Sequence, residues 1–272
     1  MANDFSNVPS LIKKISEVLP QCGSRELFTP DEFSRVAKIE ELRRQLLTSE
    51  EAFAFHDYGA RRPDAQLTEE EMMRGEIKEL RIADLCRRAS KSPARAALLF
   101  RLVRTLRPMR CLELGTCLGI SAAYLATGLQ FNHHGTLVTI EGDKYLAQRA
   151  QKHLSLLGLS AARCVSGSFL EVLPEILEQY HPLDFVFVDG HHDGKATLKY
   201  WNILKPALAR QSVIIFDDIH WSASMEKAWK DISCDSVAAQ AVDLGDMGQI
   251  IVEDPLPGEL MRSSILGSLP AD

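Results

Sequence analysis

The feature that most constrains the fold is an alternation, from residue 109 to 253, of short apolar runs with longer segments of helical periodicity. This alternation is typical of βαβ units, which build a parallel sheet. The glycines and acids of Asp243-Leu-Gly-Asp-Met-Gly permit a tight reversal between the last two runs. We predict five parallel strands and then two in an antiparallel hairpin at the sheet edge: Arg110–Leu114, Thr136–Glu141, Ala162–Ser166, Leu183–Val188, Ser212–Phe216, Val237–Val242 and Gln249–Glu253.

Helix-start signals support this register. Ser168 precedes Glu171 by three residues, the spacing of a capping box. Ser92-Pro93 offers an N-cap and a first helical residue for a helix that ends near Leu106. Both predicted helices adjoin predicted strands, as βαβ units require.

Residues 1–90 differ from the rest of the chain. Thr29-Pro-Asp-Glu32 opens a predicted helix, Thr68-Glu-Glu-Glu71 opens another, and no strong strand signal is present. We therefore predict an N-terminal helical extension or cap over residues 1–90 and a Rossmann-like catalytic domain over residues 91–272. The aromatic and charged segment Phe55–Asp64 is placed over the mouth of the site, with a plain surface crossover as an equal alternative.

Composition restricts the partners. The 272 residues carry 31 basic and 37 acidic side chains, a net charge of −6, and no basic block that would suit a nucleic acid. No apolar run approaches the ~18 residues that span a bilayer. The chain start lacks a secretory signal, and the six cysteines form no Cys-x-x-Cys pair. These observations predict a cytoplasmic protein that binds small molecules, with neither nucleic acid nor membrane as a partner.

The most informative stretch is Cys111-Leu-Glu-Leu-Gly-Thr-Cys-Leu-Gly-Ile-Ser121, a strand that runs into a glycine-containing turn. Such turns bind ligands at the carboxyl edge of open α/β sheets. The stretch lacks the three-glycine spacing that suits a pyrophosphate, and it places the acid Glu113 in the pocket. An acid repels a diphosphate and attracts an ammonium or sulfonium. The pattern therefore favours S-adenosylmethionine over a dinucleotide.

The next two predicted strands add candidate cofactor ligands. Glu141 ends the second strand, where an acid accepts hydrogen bonds from ribose hydroxyls. Ser168 follows the third strand and borders the expected adenine position, although it is also the helix cap described above.

Acids and histidines cluster after the fourth and fifth predicted strands. Asp189, with His191 and His192, ends one strand, and Asp217 and Asp218 end the other. Three neighbouring carboxylates require a cation, a positive substrate or protonation. Oxygen ligands suit Mg²⁺, but one Asp capping a helix and another binding the cofactor amine is an alternative without metal. His192 is the candidate general base, because imidazole titrates near neutral pH.

With these residues the chain resembles the class I S-adenosylmethionine-dependent methyltransferases, most of all the small-molecule O-methyltransferase-like group called methyltransferase family 24. The resemblance spans about residues 85–253. It implies a seven-stranded, mostly parallel sheet with a reversed last strand. Its anchors are Leu112–Ser121, Thr139-Ile-Glu141-Gly, Phe187–His192 with Ala196-Thr197 and Tyr200-Trp201, and Phe216–Trp221 with Met225 and Ala228-Trp229.

The resemblance also implies roles for individual residues. Glu113, Gly115 and Gly119 would surround the methionine part of the cofactor, Glu141 the ribose and Ser168 the adenine side. Asp189 would lie beside the transferring methyl group, as a catalytic and cofactor-binding residue. The remaining cofactor-binding candidates in the same motifs are Thr116, Ser121 and Gly142.

The related catechol- and caffeoyl-CoA-type enzymes bind a divalent cation through three strand-end residues, which match Asp189, Asp217 and Asp218 here. This chain departs from their pattern twice. It has Asp-Asp where they have Asp-Asn, and His192 where they have a lysine. Metal use therefore stays an alternative beside His192 acting as base.

Two other functions are compatible with the sequence. The clustered acids would suit a polyamine in an aminopropyl transferase that uses decarboxylated S-adenosylmethionine. A non-catalytic S-adenosylmethionine-binding module whose helical extension contacts partners is the third reading. A helical extension of this kind also suits a homodimer around a two-fold axis.

Overall fold

A computed structural model describes residues 11–18, 28–59 and 68–253. Ten helices and nine strands lie in these ranges. The helices are α1 Leu11–Val18, α2 Pro30–Leu47, α3 Glu69–Arg74, α4 Ile82–Ala89, α5 Pro93–Leu106, α6 Ile120–Asn132, α7 Lys144–Leu156, α8 Phe169–Gln179, α9 Gly194–Leu204 and α10 Ala223–Ser233. The strands are β1 Ala52–Asp57, β2 Glu76–Arg81, β3 Arg110–Leu114, β4 Thr136–Glu141, β5 Ala162–Ser166, β6 Leu183–Val188, β7 Leu208–Asp217, β8 Gln240–Asp243 and β9 Met247–Glu253.

The main sheet has seven strands in the order β5-β4-β3-β6-β7-β9-β8. The first five are parallel, whereas β9 runs antiparallel to both β7 and β8. The predicted mostly parallel α/β sheet with a reversed last strand and a hairpin edge is confirmed. Only β7, β8 and β9 differ in their bounds from the predicted strands.

Helices cover both faces of the main sheet, because successive side chains on a strand point to opposite faces. Phe185 and Phe187 pack with α5 and α6 on one face, while Val186 and Val188 pack with α8 and α9 on the other. The first face is completed by the N-terminal extension, since Ile15, Ile39, Ile82 and several of its other apolar residues join the same hydrophobic cluster. The extension therefore shares a core with the sheet.

The extension is not purely helical, which corrects the sequence prediction. Strands β1 and β2 form an antiparallel pair within residues 52–81. Strand β2 carries four charged residues among its six, and this composition disfavours a strand when judged alone. The predicted helix starts at Thr29, Thr68 and Ser92 are confirmed, since each side chain accepts the backbone N–H of N3.

No helix in the described ranges is long and apolar enough to cross a membrane. The five cysteines that those ranges contain are free thiols.

Candidate functional site

A cavity of about 530 Å³ opens at the carboxyl edge of the parallel strands. Its walls are the loops after β3, β4, β5, β6 and β7, the loop before α5, and the antiparallel pair of β1 and β2. This pair, residues 52–59 and 76–81, is called the β1–β2 hairpin below. This is the edge at which open α/β sheets bind ligands. The volume suits a nucleoside-sized molecule and an adjoining small acceptor.

Most residues predicted for the site line this cavity. The hairpin side also contributes Phe55 and Tyr58, so the placement of the first part of segment 55–64 over the site is confirmed; residues 60–64 lie outside the described residues. Glu113, Gly119 and Asp217 are not among the described lining residues. The predicted residues that do line it are Gly115, Thr116, Ser121, Glu141, Gly142, Ser168, Asp189, His192 and Asp218.

Glu141 lies at the end of β4 with its carboxylate fixed by two backbone amides. Cys117 N donates to Oε2 at 2.7 Å, and Asp143 N donates to Oε1 at 3.0 Å. Burial is the main cause that raises the pKa of Glu141 to about 7. Each carboxylate oxygen accepts more than one hydrogen bond, so acceptor capacity remains for hydroxyl groups in the cavity.

Ser168 is the N-cap residue of α8, but the predicted capping box is not formed. Its hydroxyl makes no side-chain cap hydrogen bond, and its Oγ is buried without a partner among the described residues. Buried hydroxyls are rarely left unsatisfied. A polar ligand in the cavity that Ser168 lines would supply the missing partner, which favours the cofactor role over the structural one.

Glu113 lies behind the cavity wall and is fully buried. Thr139 Oγ1 donates to its Oε2, while Oε1 has no hydrogen-bond partner among the described residues. Burial raises the pKa of Glu113 to about 7. Glu113 therefore does not line the cavity, which differs from the pocket position predicted from the sequence, and it reaches the lining residue Thr116 only through Thr139.

Two glycines permit close approaches at the site. A Cβ on Gly115, whose φ is +101°, would lie 1.8 Å from the carbonyl oxygen of Asp189. A Cβ on Gly142 would lie 2.6 Å from the ring of Tyr58. Gly115 thus brings the ends of β3 and β6 together, and Gly142 allows the aromatic ring from the hairpin to cover the Glu141 loop.

Asp189 and Asp217 are neighbours on one face of the sheet. Phe187 pairs with Ile215 in the parallel register, and the two acids each lie two residues further along their strands. Both carboxyl groups are buried, and burial is the largest cause that raises their pKa values. The adjacent Asp189 charge raises the pKa of Asp217 further.

The ammonium of Lys91 lies between these two carboxyl groups. Its Nζ is 3.2 Å from Asp189 Oδ1 and hydrogen-bonds Asp217 Oδ2. Burial opposes the charge of Lys91, but Asp189 and Asp217 outweigh it and raise the pKa of the ammonium well above its ordinary range. The repulsion among the acids is therefore relieved by a side chain of the protein itself.

His192 lies beside the same acids. Its Nδ1 is 3.4 Å from Asp218 Oδ2, and its Nε2 is 3.7 Å from Asp189 Oδ1. Burial lowers the pKa of His192 below its usual value, although Asp218 opposes this shift. The imidazole is therefore neutral at pH 7 and able to accept a proton.

The backbone is strained where these side chains meet. Cys117, His191, His192 and Asp218 are non-glycine residues with φ between 48° and 66°. Left-handed conformations of such residues cost energy and are concentrated at functional sites. His192 and Asp218, which both line the cavity, hold such conformations.

The structure accounts for the other histidines of this edge as hydrogen-bonded side chains. His191 Nδ1 lies 2.5 Å from the hydroxyl of Tyr200. His220 Nε2 lies 2.9 Å from Asp243 Oδ2 at the surface. Neither observation assigns these histidines to the cavity chemistry proposed for His192.

The geometric metal candidate differs from the predicted set of Asp189, Asp217 and Asp218. Ligand atoms of Asp189, His192 and Asp217 lie within 4.8 Å of one another, so His192 takes the place of Asp218. The Lys91 ammonium already contacts two of these three residues. A divalent cation at this position would have to displace it.

Lys91 is the main site residue that the sequence reasoning missed. It is a single lysine in the loop Ser90-Lys91-Ser92, beside the predicted N-cap Ser92, and no motif distinguishes it. The lining residues of the hairpin, such as Lys78 and Leu80, were missed because β2 was not predicted. The only available signal was the alternating Phe53 and Phe55 of β1.

The chain was compared with families and proteins of known identity. The family described as "Methyltransferase domain" matches residues 112–219. A catechol O-methyltransferase of Niastella koreensis is 30% identical over 131 residues, which are 47% of this chain and 57% of that protein. The chain thus spans little more than half the length of this relative.

Solved structures share the fold. The O-methyltransferase of Bacillus cereus in complex with SAH aligns with a TM-score of 0.59 at 18% identity, over 87% of this chain and 97% of that one. The O-methyltransferase TomG of Streptomyces achromogenes in complex with SAM aligns with a TM-score of 0.53 at 23% identity, over 61% and 82%. The expected Rossmann-like methyltransferase fold is confirmed.

Proposed function

We propose that this chain is a class I S-adenosylmethionine-dependent methyltransferase of the O-methyltransferase-like type, with the methyltransferase domain in residues 112–219. It transfers a methyl group to an oxygen of a small-molecule acceptor. The observation that carries the proposal is one cavity lined by three groups. They are the fixed carboxylate of Glu141, the Ser168 hydroxyl, which has no partner in the described part of the chain, and the base candidate His192. The relatives named above, a catechol O-methyltransferase and O-methyltransferases with SAM or SAH bound, support both the reaction and the cofactor.

The cofactor half of the cavity fits S-adenosylmethionine. Glu141 would accept hydrogen bonds from the ribose, Ser168 would bind the adenine edge, and Gly115, Thr116, Ser121 and Gly142 would surround the rest. Glu113 and Gly119 would support this half from behind the wall. When bound, S-adenosylmethionine supplies a methyl group whose bond to sulfur breaks as its bond to the acceptor oxygen forms, leaving S-adenosylhomocysteine.

The acceptor half lies between the hairpin and the acidic edge. Trp221 gives this half an aromatic wall, Phe55 lines the cavity from the hairpin, and Tyr58 lies against Gly142 on the cofactor side. Asp218, whose Oδ2 lies 3.4 Å from Nδ1 of His192, would keep the proton of the neutral ring on Nδ1, so that Nε2 would accept the proton of the acceptor hydroxyl. The residues align the oxygen and exclude water, and such alignment contributes several kcal/mol to lowering a barrier.

Methyl transfer and the binding-module alternative make different predictions for one experiment. The protein is incubated with S-adenosylmethionine labelled in its methyl group and a panel of catechols and other phenols. We expect label in the acceptor and a rise in melting temperature with S-adenosylhomocysteine but not with NADH. A 100-fold excess of ligand over its Kd contributes about 2.7 kcal/mol of stability. Binding without methyl incorporation across the panel would favour the module, and stabilisation by NADH would contradict the cofactor assignment.

The N-terminal extension, residues 1–90, is proposed as the acceptor-selecting part of the protein and residues 91–272 as its catalytic domain. The hairpin of the extension lines the same cavity, whereas the proposed cofactor ligands all lie in the second part. Mg²⁺ does not fit the acidic edge as the side chains stand, because the Lys91 ammonium contacts both Asp189 and Asp217.

A further inference from the structure

The loop that carries Lys91 is fixed from two sides. Arg43 of α2 donates from Nη1 to the carbonyl oxygen of Lys91 at 2.7 Å. Ser92, the next residue, begins α5 by accepting a hydrogen bond from Arg95 N. The loop backbone is therefore held in place, and the aliphatic part of the Lys91 side chain extends from it into the cavity wall, leaving the side chain 15% exposed.

The position of the ammonium meets the electrostatic requirement of the acidic edge. The side chains of Asp189 and Asp217 are 10% and 1% exposed, so water screens their repulsion poorly. A cation between them stabilises both, and an ammonium with three N–H donors satisfies two carboxylate oxygens and keeps one donor. Lys91 also lines the cavity, which places that donor within reach of a ligand.

The same position is unfavourable for a divalent cation. Mg²⁺ and Mn²⁺ need several oxygen ligands in a near-octahedral shell, at about 2.1 Å for Mg²⁺. At this edge two of the nearest side chains are already bound to an ammonium, and a metal ion would add its charge to that of Lys91. Binding a metal therefore requires removing a buried lysine from its acidic partners.

We propose that Lys91 is the resident cation of this site and makes the methyl transfer independent of a divalent metal: its ammonium compensates Asp189 and Asp217 and donates a hydrogen bond to the acceptor oxygen. The second half of this inference rests on the proposed function. In that reaction the acceptor proton moves to His192 Nε2 and the methyl group to the oxygen, while Lys91 keeps all its protons and stabilises the developing oxyanion. This favours acceptors with an acidic hydroxyl, such as phenols.

Metal binding by the full-length protein tests the first half without turnover. Mn²⁺ is titrated into the wild type, Lys91→Met and the control Lys205→Met, and free Mn²⁺ is read by electron paramagnetic resonance. Lys205 pairs with Asp235 at 3.0 Å away from the cavity, so its replacement removes a comparable charge. We expect at least tenfold tighter Mn²⁺ binding in Lys91→Met than in the other two proteins. Adding Asp217→Asn to Lys91→Met should abolish the gain.

Two results would overturn the inference. One is micromolar Mn²⁺ binding by the wild type that Asp217→Asn removes. The other is equal Mn²⁺ affinity of the wild type and a folded Lys91→Met. If Lys91→Met does not fold, Lys91→Arg, which keeps the charge, is the only variant at this position. The test of the resident cation is then whether the wild type binds Mn²⁺ at micromolar concentration and whether Asp217→Asn removes that binding.

Activity tests the second half. After exhaustive chelation we expect the wild type to keep its rate, and Lys91→Met to lose about 100-fold in kcat while S-adenosylhomocysteine affinity changes less than threefold. Lys91→Arg should recover part of the rate. Loss of wild-type activity on chelation with recovery by Mg²⁺ would overturn the inference, as would an unchanged rate in Lys91→Met. A different result would refute the proposed function and not the role of Lys91 as resident cation. In it, the wild type binds S-adenosylhomocysteine and the Mn²⁺ titrations give the expected results, but no methyl transfer occurs.

Discussion

At the scale of single residues, the cavity and its wall combine unusual backbone conformations with buried polar atoms that lack hydrogen bonds. Four non-glycine residues have left-handed φ values there, and the hydroxyl of Ser168 and one oxygen of Glu113 are buried without partners among the described residues. Each departure costs free energy unless a ligand offsets it. Several candidate site residues are therefore among those whose backbone or polar atoms the described part of the chain satisfies least well.

Replacement of Glu141 by Ala is expected to weaken S-adenosylhomocysteine binding 10- to 100-fold. The variant removes a carboxylate that two backbone amides hold in place for the ribose hydroxyls. Hydrogen bonds to a charged group contribute about 1.5–3 kcal/mol. Isothermal titration calorimetry measures the change, with the exposed Glu175→Ala as control. An affinity equal to that of the wild type would remove Glu141 from the cofactor site.

Replacement of His192 by Ala is expected to slow methyl transfer about 100-fold or more, with S-adenosylhomocysteine affinity within threefold of the wild type. General-base catalysis contributes typically 10²–10⁴-fold. His220→Ala is the matched control, because His220 follows the neighbouring strand but pairs with Asp243 at the surface. Parallel losses of rate and of cofactor affinity in His192→Ala would indicate a structural role instead.

At the scale of elements, the β1–β2 hairpin is attached to the nucleotide-binding half through α7. Glu51, just before β1, contacts both Tyr145 and Arg149 of α7. The backbone N–H of His56 donates to Asp143 Oδ2, the N-cap of the same helix, at 2.9 Å. The hairpin that lines the cavity is thus joined to the loop that carries Glu141.

Glu51→Gln is expected to loosen this attachment without unfolding the protein. Glu51 is exposed and its ion pair contributes little to global stability, about 0–1 kcal/mol. Hydrogen exchange should become faster in β1 and β2 and stay unchanged in β3 and β4. The KM for the acceptor should rise more than the Kd of S-adenosylhomocysteine. An equal change in exchange rate in all strands, or a change in cofactor binding alone, would show that Glu51 does not hold the hairpin against α7.

At the scale of the whole molecule, the buried acids make the free energy of unfolding depend on pH. Glu113 and Glu141 have pKa values of about 7 in the folded protein, against a reference value of 4.5. The folded state therefore binds more protons than the unfolded state between these values. Their contribution to stability is fully present below pH 4.5 and is lost as pH rises through about 7.

Glu113→Gln isolates this effect. The free energy of unfolding of the variant minus that of the wild type should increase by about 1–3 kcal/mol as the pH rises from 5 to 8, because the variant has no carboxylate to bury. Urea denaturation at both pH values measures the difference, and Glu175→Gln, at an exposed position, should show none. A constant difference between the variant and the wild type would mean that Glu113 ionises in the folded state as it does in the unfolded chain.

The centre of the main sheet followed from the sequence because β3, β6 and the second half of β7 are buried and read as largely apolar runs. Strands β3 to β6 have the predicted bounds. Edge strand β8 is largely exposed, so its apolar signal is weak and its bounds shifted. The β1–β2 pair joins residues 19 to 29 positions apart through backbone hydrogen bonds, which side-chain patterns record poorly.

The site was predicted in the same way, strand end by strand end. Glu141, Ser168, Asp189, His192 and Asp218 reach the cavity because parallel strands bring their carboxyl ends to one edge. Lys91 comes from a loop on a different layer, and only the packing of α2 and α5 brings it there. Tertiary contacts of this kind have no local sequence signature.

The cation of this site is encoded upstream of the segment that carries the acids, since Lys91 precedes residues 112–219. Relatives recognised by the acidic segment alone can therefore differ in the residue ahead of α5, and on the proposal above that residue decides whether a metal ion fits. Sorting such relatives calls for reading that loop first.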